Sequence, residues 1–339
     1  MMTSKEIVLR TLEYSNPERV ARSFANSDFI SAQCKIETHA TEWKKLSGNR
    51  WERKDEWGNT WARLDNTSKG EVIKGVLENI EDISDYHFPD YTRFESYACV
   101  SESRKNNPHK WLIGGMPGFA FNIARKMRKL EQYLMDLLLE REQMSHLHDQ
   151  IDKLAESMIR NYAAAGVDSI MFPEDWGTQN QTMISPDLWR EEFFPRYQKL
   201  CHIAHDLGIK VFMHACGKIE AIVPGLIEAG IDVLQFDQPD LHGIDTLCAH
   251  QKRGKITFWC PVDIQKTLQL RDEKVIRAKA KEMLDKMWCG QGGFIAGYYN
   301  DNDSIGLDSK WQEYANAEFL SSGCQVPRAN NYQLAPTMV

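Results

Sequence analysis

The triplet His-Ala-Cys at residues 214–216 lies where an apolar stretch, "IKVFM", ends and a helical stretch, "KIEAIVPGLIEAG", begins. Because alternate residues of a β-strand face the same side, we expect the side chains of His214 and Cys216 to point the same way. Imidazole and thiolate are ligands that zinc favours, so the pair predicts a metal site. Two ordinary residues at a buried strand end are the alternative, since a zinc site needs further ligands.

Further ligands are available at the ends of the apolar stretches that follow. Asp237 ends the next stretch, "IDVLQFD", and Cys260 ends the one after it, "KITFWC". Adjacent parallel strands lie about 5 Å apart, so Asp237 is predicted to add a carboxylate to the metal site. Cys260 is a further candidate ligand on the same reasoning.

Acidic, amide and aromatic side chains follow the other apolar stretches and are candidates for catalysis or substrate binding. Glu174 and Asp175 follow "SIMFP". Adjacent strand residues point opposite ways, so one of the two is expected to enter the site as a general acid or base or to hold substrate. Helix capping, or pairing with an arginine such as Arg190, is the alternative. The predicted substrate-contacting residues are Trp176, Gln179, Asp263, Gln265 and Tyr299. Core packing is the alternative for the two aromatic residues, and loop bracing is the alternative for the polar pair in "CPVDIQ".

The composition predicts a globular protein without a nucleic-acid or membrane partner. The chain has 339 residues, of which 42% are hydrophobic and 26% charged, with a net charge of −7. No apolar run approaches the roughly 18–20 residues of a transmembrane helix, and "MMTSKEIVLRTLEYSNPERV" lacks the apolar region of a secretory signal. The 8 cysteines form no dense spacing pattern, which predicts reduced thiols and a cytoplasmic location.

Strands and helices alternate regularly over residues 106–322, where at least six strand–helix units can be recognised. Strands that are apolar throughout indicate a parallel sheet covered on both faces. Polar residues follow strand after strand instead of gathering at one switch point. The pattern therefore predicts a single α/β domain over residues 1–339, a (β/α)8 TIM barrel with its site at the carboxyl ends of the strands. Long helices are predicted for "FNIARKMRKLEQYLMDLLLE" and, after Ser185 as N-cap, for "SPDLWREEFFPRYQKLCHIAHDLG".

Residues 1–105 are predicted to form an N-terminal extension of the barrel. "TSKEIVLRTLEY" predicts a helix capped by Thr3 or Ser4, and residues 26–60 are predicted to be irregular. "DEWGNTWARL" has a Gly-Asn turn pair between two tryptophans and predicts a β-hairpin over residues 55–64. The last segment, residues 323–339, is expected to be a flexible tail.

Three stretches together resemble the uroporphyrinogen decarboxylase superfamily: "FPEDWGTQNQTMISPDLWREEFFPRYQKL", "KVFMHACGKIEAIVPGLIEAGIDVLQFDQP" and "ITFWCPVDIQKTL". The similarity covers most of residues 3–320 and is weakest over residues 26–100. It implies a single (β/α)8 barrel with the active site at its carboxyl-terminal mouth, and it allows a homodimer. The arginine-bearing loop "RQAGRY" of the decarboxylases is absent, and the strand ends are acidic, which disfavours a substrate with many carboxylates.

The corrinoid-dependent methyltransferases of this superfamily hold zinc with a His-x-Cys pair and a later cysteine, and His214 and Cys216 match the pair. Related zinc methyltransferases that make methionine place an acid at the end of the next strand, where Asp237 stands. The later cysteine is replaced here by "YYND", with Tyr299 near its position. The resemblance thus implies a zinc methyltransferase that moves a methyl group between a corrinoid on a partner protein and a small thiol or folate acceptor. For a folate acceptor, Glu174 or Asp175 would supply the acid or base.

Two other functions stay open from the sequence. A metal-free decarboxylase or lyase acting on a carboxylated ring compound would need cationic residues around the mouth and no metal. A barrel that binds a small molecule or a partner without turnover would explain the missing last cysteine. Bound zinc would favour the methyltransferase over both alternatives. A blocked barrel mouth would favour the barrel that binds without turnover.

Overall fold

The computed structural model describes residues 1–46, 48–66 and 68–324 of the chain. Residues 325–339 of the predicted flexible tail lie outside the described residues. In the described part, the strands are Ala21–Arg22 (β1), Phe29–Ala32 (β2), Lys44–Lys45 (β3), Trp51–Lys54 (β4), Thr60–Arg63 (β5), Glu71–Lys74 (β6), Trp111–Gly115 (β7), Ser169–Pro173 (β8), Lys210–His214 (β9), Val233–Gln235 (β10), Thr257–Cys260 (β11) and Phe294–Ala296 (β12).

The α-helices of the described part are Ser4–Glu13 (α1), Ala98–Asn106 (α2), Ala120–Met127 (α3), Leu130–Leu139 (α4), Arg141–Ala165 (α5), Pro186–Leu188 (α6), Phe194–Asp206 (α7), Val223–Ala229 (α8), Ile244–Gly254 (α9), Glu273–Met283 (α10) and Lys310–Ser322 (α11). The side chain of Thr3 accepts a hydrogen bond from the Glu6 amide and caps α1, as predicted. Ser185 likewise caps α6 through the Leu188 amide.

Two helices that the sequence predicts as continuous are interrupted. The stretch after β7 breaks into α3 and α4, because Lys129 adopts a left-handed backbone conformation with φ of 64°. The helix that begins after Ser185 contains a π-helical turn over Trp189–Phe193 before α7 continues it.

Eight of the strands form one parallel sheet in the order β1-β12-β11-β10-β9-β8-β7-β2. Helices follow β7 through β12 along the chain. The predicted (β/α)8 barrel is therefore confirmed. The prediction that residues 26–60 are irregular was wrong at β2, β3 and β4, because strands of two to four residues are too short to establish a hydrophobic period.

Side chains of the barrel strands alternate between the interior and the surrounding layer of helices. Trp111, Phe212, Val233 and Ile295 pack in the interior with apolar residues of α1. The amide of Lys5 on α1 donates to the carbonyl of His109, just before β7. Helix α1 therefore closes the end of the barrel where the strands begin, and this leaves the opposite end for a site.

A hairpin is present at the predicted place, but its first strand, β4, precedes the predicted range of residues 55–64, and residues 55–59 form the loop that leads to β5. The hairpin belongs to a four-stranded antiparallel sheet in the order β3-β4-β5-β6. Trp57 lies in the loop of the hairpin and packs against Tyr91 and Phe88, with ring centroids 5.9 and 6.5 Å away. The small sheet lies between β2 and α2 in the chain. Since β2 runs parallel to β7, this insertion leaves the barrel at the carboxyl ends of the strands.

The insertion is held against α3 by a buried arginine. The Arg128 guanidinium donates to the carbonyl oxygens of Leu77 and Glu78 at 2.6 and 2.8 Å and pairs with Asp136 at 2.7 Å. The Leu77 amide also donates to the Met127 carbonyl at 2.9 Å. The small sheet is thereby joined to the segment that follows β7.

A second contact joins the insertion to the loop after β12. Lys69 lies 3.9 Å from the Asp301 carboxylate, and its Nζ is 5.7 Å from the centroid of the Tyr299 ring. The small sheet thus reaches from α3 to the loop after β12 along the barrel mouth. None of the helices in the described part of the chain combines the length and apolar character needed to cross a bilayer.

Candidate metal centre at the barrel mouth

His214 ends β9 with its side chain directed into the barrel. It is in register with Gln235 on β10, and Gln235 is in register with Trp259 on β11, so the three side chains share the interior face. The His214 Nδ1 atom is hydrogen-bonded to the Gln235 side-chain oxygen. The Gln235 Nε2 atom donates to Asp237 Oδ1 at 2.8 Å.

This chain of hydrogen bonds determines which ring nitrogen of His214 carries the proton. The Asp237 carboxylate only accepts hydrogen bonds, so it selects the NH2 group of Gln235 and turns the amide oxygen toward His214. That oxygen requires a proton on Nδ1 of the imidazole. The Nε2 atom is left with a free lone pair, which is the form that binds a metal.

Asp175, His214 and Cys216 bring three ligand atoms together at the mouth. His214 Nε2 lies 3.2 Å from Cys216 Sγ and 3.5 Å from Asp175 Oδ1. All three ligand atoms lie within 4.8 Å of one another, and in the described residues this is the group of His, Cys, Asp and Glu that does so. Zinc–ligand bonds of about 2.0–2.3 Å in a tetrahedron place neighbouring ligands about 3.3–3.8 Å apart, and the two distances from His214 Nε2 are close to this range, so the donor set is suited to zinc.

The loop after β8 positions Asp175 at this centre. Its Oδ1 atom accepts the Cys216 amide at 3.0 Å, and its Oδ2 atom lies 3.3 Å from the Arg125 guanidinium. The side chains of Asp175 and His214 are 31% and 20% exposed, so the centre is open to small molecules. Burial opposes ionisation of Asp175, but His214 when its imidazole is protonated, the Arg125 charge and the Cys216 amide outweigh it and lower the pKa.

Asp237 and Cys260 lie outside the three-residue centre, so the third candidate donor comes from the loop after β8, the strand before His214, and not from a strand after it. Asp237 accepts the Gln235 amide and therefore contacts His214 through another residue. Cys260 is fully buried and belongs to the core between sheet and helices. Its neighbour Trp259 faces the barrel interior in register with Gln235, so Cys260 faces outward. Burial also raises the pKa of the Cys260 thiol.

Glu174 points away from the mouth and joins β8 to α3. Its Oε1 atom accepts the amides of Phe119 and Asn122 at 2.6 and 3.2 Å, and its Oε2 atom accepts the Tyr197 hydroxyl at 3.1 Å. A carboxylate at this place caps the first turn of α3. Burial raises the pKa of Glu174 to about 7, against the opposing effect of these hydrogen bonds.

Removing the Glu174 carboxylate is expected to destabilise the protein. Glu174→Ala leaves two buried amides without an acceptor, and we expect the free energy of unfolding to fall by about 2–3 kcal/mol. Glu174→Gln keeps an acceptor oxygen and should lose less than half as much. Urea unfolding of the three proteins measures the difference, and equal losses in both variants would contradict the capping role.

The predicted substrate-contacting residues lie in different surroundings. Trp176 is fully buried, stacks on Phe121 with ring centroids 3.7 Å apart, and donates to the Tyr197 hydroxyl at 3.0 Å. Its place is therefore in the wall between β8 and the helices. Gln179 and Gln265 are exposed on loops that follow β8 and β11.

The other two residues of this group have local partners. Asp263 is buried and accepts the amides of Asp240, Gln265 and Lys266, so it braces the loop after β11. Tyr299 is half-buried, and its amide donates to the Gln312 side chain at 2.9 Å. Its ring lies beside Lys69, so it contributes to the rim of the mouth.

Sequence reasoning did not identify Gln235, Arg125 or Lys126. A signal for Gln235 was present, because it is the residue of β10 two positions before Asp237 and so shares its face. Arg125 and Lys126 lie on α3 and gave no signal, since helical lysine and arginine residues are usually solvated. Their proximity to Asp175 follows from the way Glu174 holds α3.

We expect Gln235 to tune the affinity of the centre for metal. Gln235→Leu removes the acceptor that fixes the His214 tautomer, and the affinity for zinc should fall by about 10–100-fold. Competition with a chromophoric chelator measures the affinity. Gln143→Leu, which changes an exposed glutamine on α5, is the control. Unchanged zinc affinity in Gln235→Leu would show that Gln235 does not orient the ring.

Comparison with protein-family models assigns the chain to a family. The model described as uroporphyrinogen decarboxylase (URO-D) matches residues 66–298. The chain belongs to the uroporphyrinogen decarboxylase family. The matched range contains β7 through β12 and all three residues of the metal centre. A search of curated proteins found no match.

Solved structures share the fold at low sequence identity. A methyltransferase from Methanosarcina mazei is 13% identical, with a TM-score of 0.59 over 95% of this chain and 86% of that chain. A B12-independent methionine synthase from Shewanella sp., solved in complex with selenomethionine, is also 13% identical, with a TM-score of 0.47 over 94% of this chain and 86% of that chain. At this identity the first likeness supports the barrel fold alone.

Proposed function

We propose that this protein is a methyltransferase that moves a methyl group from a corrinoid on a partner protein to a small thiol. The observation that carries the proposal is the convergence of Asp175 Oδ1, His214 Nε2 and Cys216 Sγ within 4.8 Å of one another at an open barrel mouth. The fold shared with a methyltransferase from Methanosarcina mazei is compatible with this chemistry. We further propose a cytoplasmic location, in keeping with reduced thiols.

Asp175, His214 and Cys216 would hold zinc, with room for one more ligand from the substrate. Zinc in such a site holds a thiol as its thiolate at neutral pH, which is the nucleophilic form. Without a cation the pKa of the Cys216 thiol is raised by desolvation and by the charges of Asp175 and Asp237. This surplus of negative charge is a setting in which a divalent cation is stabilised.

The residues around the centre have separate tasks. Gln235 keeps the lone pair of His214 Nε2 directed at the mouth, and the Cys216 amide with Arg125 keeps Asp175 in place. The methyl group would move as the sulfur–carbon bond forms from the thiolate electron pair. The corrinoid would supply the methyl group and keep the electron pair of its cobalt–carbon bond, and the thiol proton would be released to solvent. Glu174 then acts as a positioning residue and not as an acid or base.

The metal-free decarboxylase remains a second candidate because one of its requirements is met. It needs cations at the mouth, and Arg125, Lys126 and Lys69 lie there, contributed by α3 and the insertion and not by strand ends. The decarboxylase hypothesis also predicts that the protein is active without a metal. A folate acceptor would need an acid that reaches the mouth, and of the two adjacent acids Asp175 is the one so placed.

The test combines metal analysis with turnover. We expect about one zinc per chain in protein purified without chelators, and methylation of 3-mercaptopropionate when methylcobalamin is supplied as donor. The doubly substituted variant His214→Ala, Cys216→Ala should lose both. Full zinc content in that variant, or thiol methylation that survives removal of zinc by a chelator, would overturn the proposal. Activity without zinc on a carboxylated ring compound would support the decarboxylase.

A further inference from the structure

Cys248 and Cys289 bring two thiols to one carbonyl oxygen in the helical layer around the barrel. Cys248 lies on α9, and Cys289 follows a π-helical turn over Leu284–Trp288 that continues α10. The Cys248 Sγ atom donates to the Lys286 carbonyl oxygen at 3.4 Å, and the Cys289 Sγ atom donates to the same oxygen at 3.2 Å. A carbonyl oxygen has two lone pairs and accepts both. The two sulfur atoms are therefore neighbours, although the residues are far apart in the chain.

Contacts between α9 and the π-helical turn hold the two thiols in this arrangement. The Lys286 Nζ atom lies 2.8 Å from the Asp245 carboxylate on α9 and 3.0 Å from the Glu282 carboxylate on α10. Gln251 on α9 is buried and donates to the Met287 carbonyl at 3.1 Å. The approach of the thiols thus follows from the packing of two helical segments and not from one side-chain conformation alone.

The two thiols differ in their access to solvent. Cys289 is exposed, whereas Cys248 is half-buried. Burial, together with the charge of a Cys289 thiolate, raises the pKa of the Cys248 thiol to about 11. A small molecule in solution therefore reaches Cys289 first, and Cys248 is placed to react with whatever Cys289 has bound.

The backbone at Cys289 leaves room for the sulfur atoms to come closer. Cys289 has a φ of 50°, in the left-handed region that is unfavourable for a residue with a side chain. Gly290 follows with a φ of 74°, and a side chain added there would meet open space. Because glycine changes conformation at little cost, a small adjustment of this turn can bring the sulfur atoms to the roughly 2.0 Å of a disulfide.

We propose that Cys248 and Cys289 form a thiol–disulfide exchange site that reacts with small dialkyl disulfides. The Cys289 thiolate attacks one sulfur of the small disulfide, forms a mixed disulfide and displaces one small thiolate. The Cys248 thiolate then attacks Cys289 Sγ, forms the Cys248–Cys289 disulfide and displaces the second small thiolate. Two electrons pass from the protein thiols to the small disulfide, and the two thiol protons end on the released thiols. The product joins α9 to the segment that leads into β12.

The experiment treats the full chain with 2-hydroxyethyl disulfide and 2-mercaptoethanol, blocks the remaining thiols with N-ethylmaleimide and maps the products by mass spectrometry. A neighbouring group has an effective concentration in the millimolar range, so at about 0.1 mM 2-mercaptoethanol the cross-link should exceed the mixed disulfide at Cys289 by at least about tenfold. The expected product is a peptide pair that contains Cys248 and Cys289.

Variants test the order of the two steps. Cys248→Ser removes the second nucleophile, so Cys289 should keep the small thiol as a mixed disulfide. Cys289→Ser should leave Cys248 mostly unmodified, because Cys248 is half-buried. The control is the double variant Cys34→Ser, Cys99→Ser, which changes another pair of cysteines whose charges act on each other and should not alter the cross-link. If Cys248→Ser does not fold, the ratio of the two products in the unaltered protein decides.

The site does not use Cys216 and does not rest on the proposed function. A Cys216→Ala variant that loses thiol methylation and still forms the cross-link in full yield supports a site separate from the metal centre. A yield that depends on Cys216 would overturn the proposal. Accumulation of the mixed disulfide at Cys289 in the unaltered protein, or a cross-link from Cys289 to a cysteine other than Cys248, would also contradict it.

Discussion

Asp175→Ala is expected to abolish stoichiometric zinc binding, with loss of thiol methylation by about 10³-fold or more, because only His214 and Cys216 would remain as donors. Asp237→Asn is expected to behave differently, since Asp237 acts on His214 through the Gln235 amide. That change should weaken zinc binding by about 10–100-fold and leave full occupancy at high zinc concentration. Metal analysis after dialysis at two zinc concentrations measures both effects.

This pair of variants distinguishes a centre whose third donor is Asp175 from one whose third donor is Asp237. If the donor came from the strand after His214, Asp237→Asn would abolish binding and Asp175→Ala would preserve it. The structure predicts the opposite order, because Asp175 Oδ1 lies 3.5 Å from His214 Nε2. Zinc retained at full stoichiometry by Asp175→Ala would remove the basis for the proposed centre.

Arg128→Met is expected to lower the free energy of unfolding by about 3–5 kcal/mol, because it leaves the Asp136 carboxylate buried without its partner. The side chains of both residues are 4% exposed. The same change deprives the Leu77 and Glu78 carbonyl groups of a donor. Chemical denaturation measures the loss.

A matched control lies on the surface. Arg190 pairs with Glu228 through two hydrogen bonds of 2.7 Å, but the side chains are 48% and 55% exposed. Arg190→Met should therefore lower the free energy of unfolding far less than Arg128→Met does. The double variant Arg128→Met, Asp136→Leu should recover part of the loss, since neither charge then stays buried alone. Similar losses at Arg128 and Arg190 would contradict the role assigned to burial.

The parts of the fold with a strong hydrophobic period were predictable from the sequence. The strands β7 through β12 were each recognised, because continuous apolar residues between helical patterns identify a buried parallel strand. The strands β1 and β2 were missed, since two and four residues carry no period. Eight-strand closure was inferred from the chemistry of the strand ends and not from these two strands.

The candidate site was predictable to the extent that it depends on strand alternation. His214 and Cys216 share a face because they are two residues apart, and the structure keeps them together. Cys260 could not be rejected by the same rule, because the face on which it lies depends on the register of its neighbour Trp259 with Gln235 on β10. Register between strands is a tertiary property, so the sequence alone did not reveal it.

Asp175 and Lys126 mark the limit of sequence reasoning at this site. The choice between Glu174 and Asp175 depended on where α3 packs, which becomes clear only from the hydrogen bonds of Glu174 to Phe119 and Asn122. The cations at the mouth come from a helix and an insertion, whereas cations were expected from the sequence only at the strand ends. A loop insertion can bring charges to a site from any distance along the chain, and spacing in the sequence gives no measure of that.

Because of the insertion between β2 and α2, residues at the rim of the mouth can change in evolution independently of the proposed metal donors. The proposed metal donors lie on β9 and on the loops around it, while Lys69 at the rim of the mouth belongs to an insertion whose small sheet pairs only with itself. Substitutions in that sheet can alter which molecules enter without disturbing the register of the barrel. Relatives that keep Asp175, His214 and Cys216 but differ over residues 33–97 are therefore expected to share one reaction and to act on different acceptor molecules.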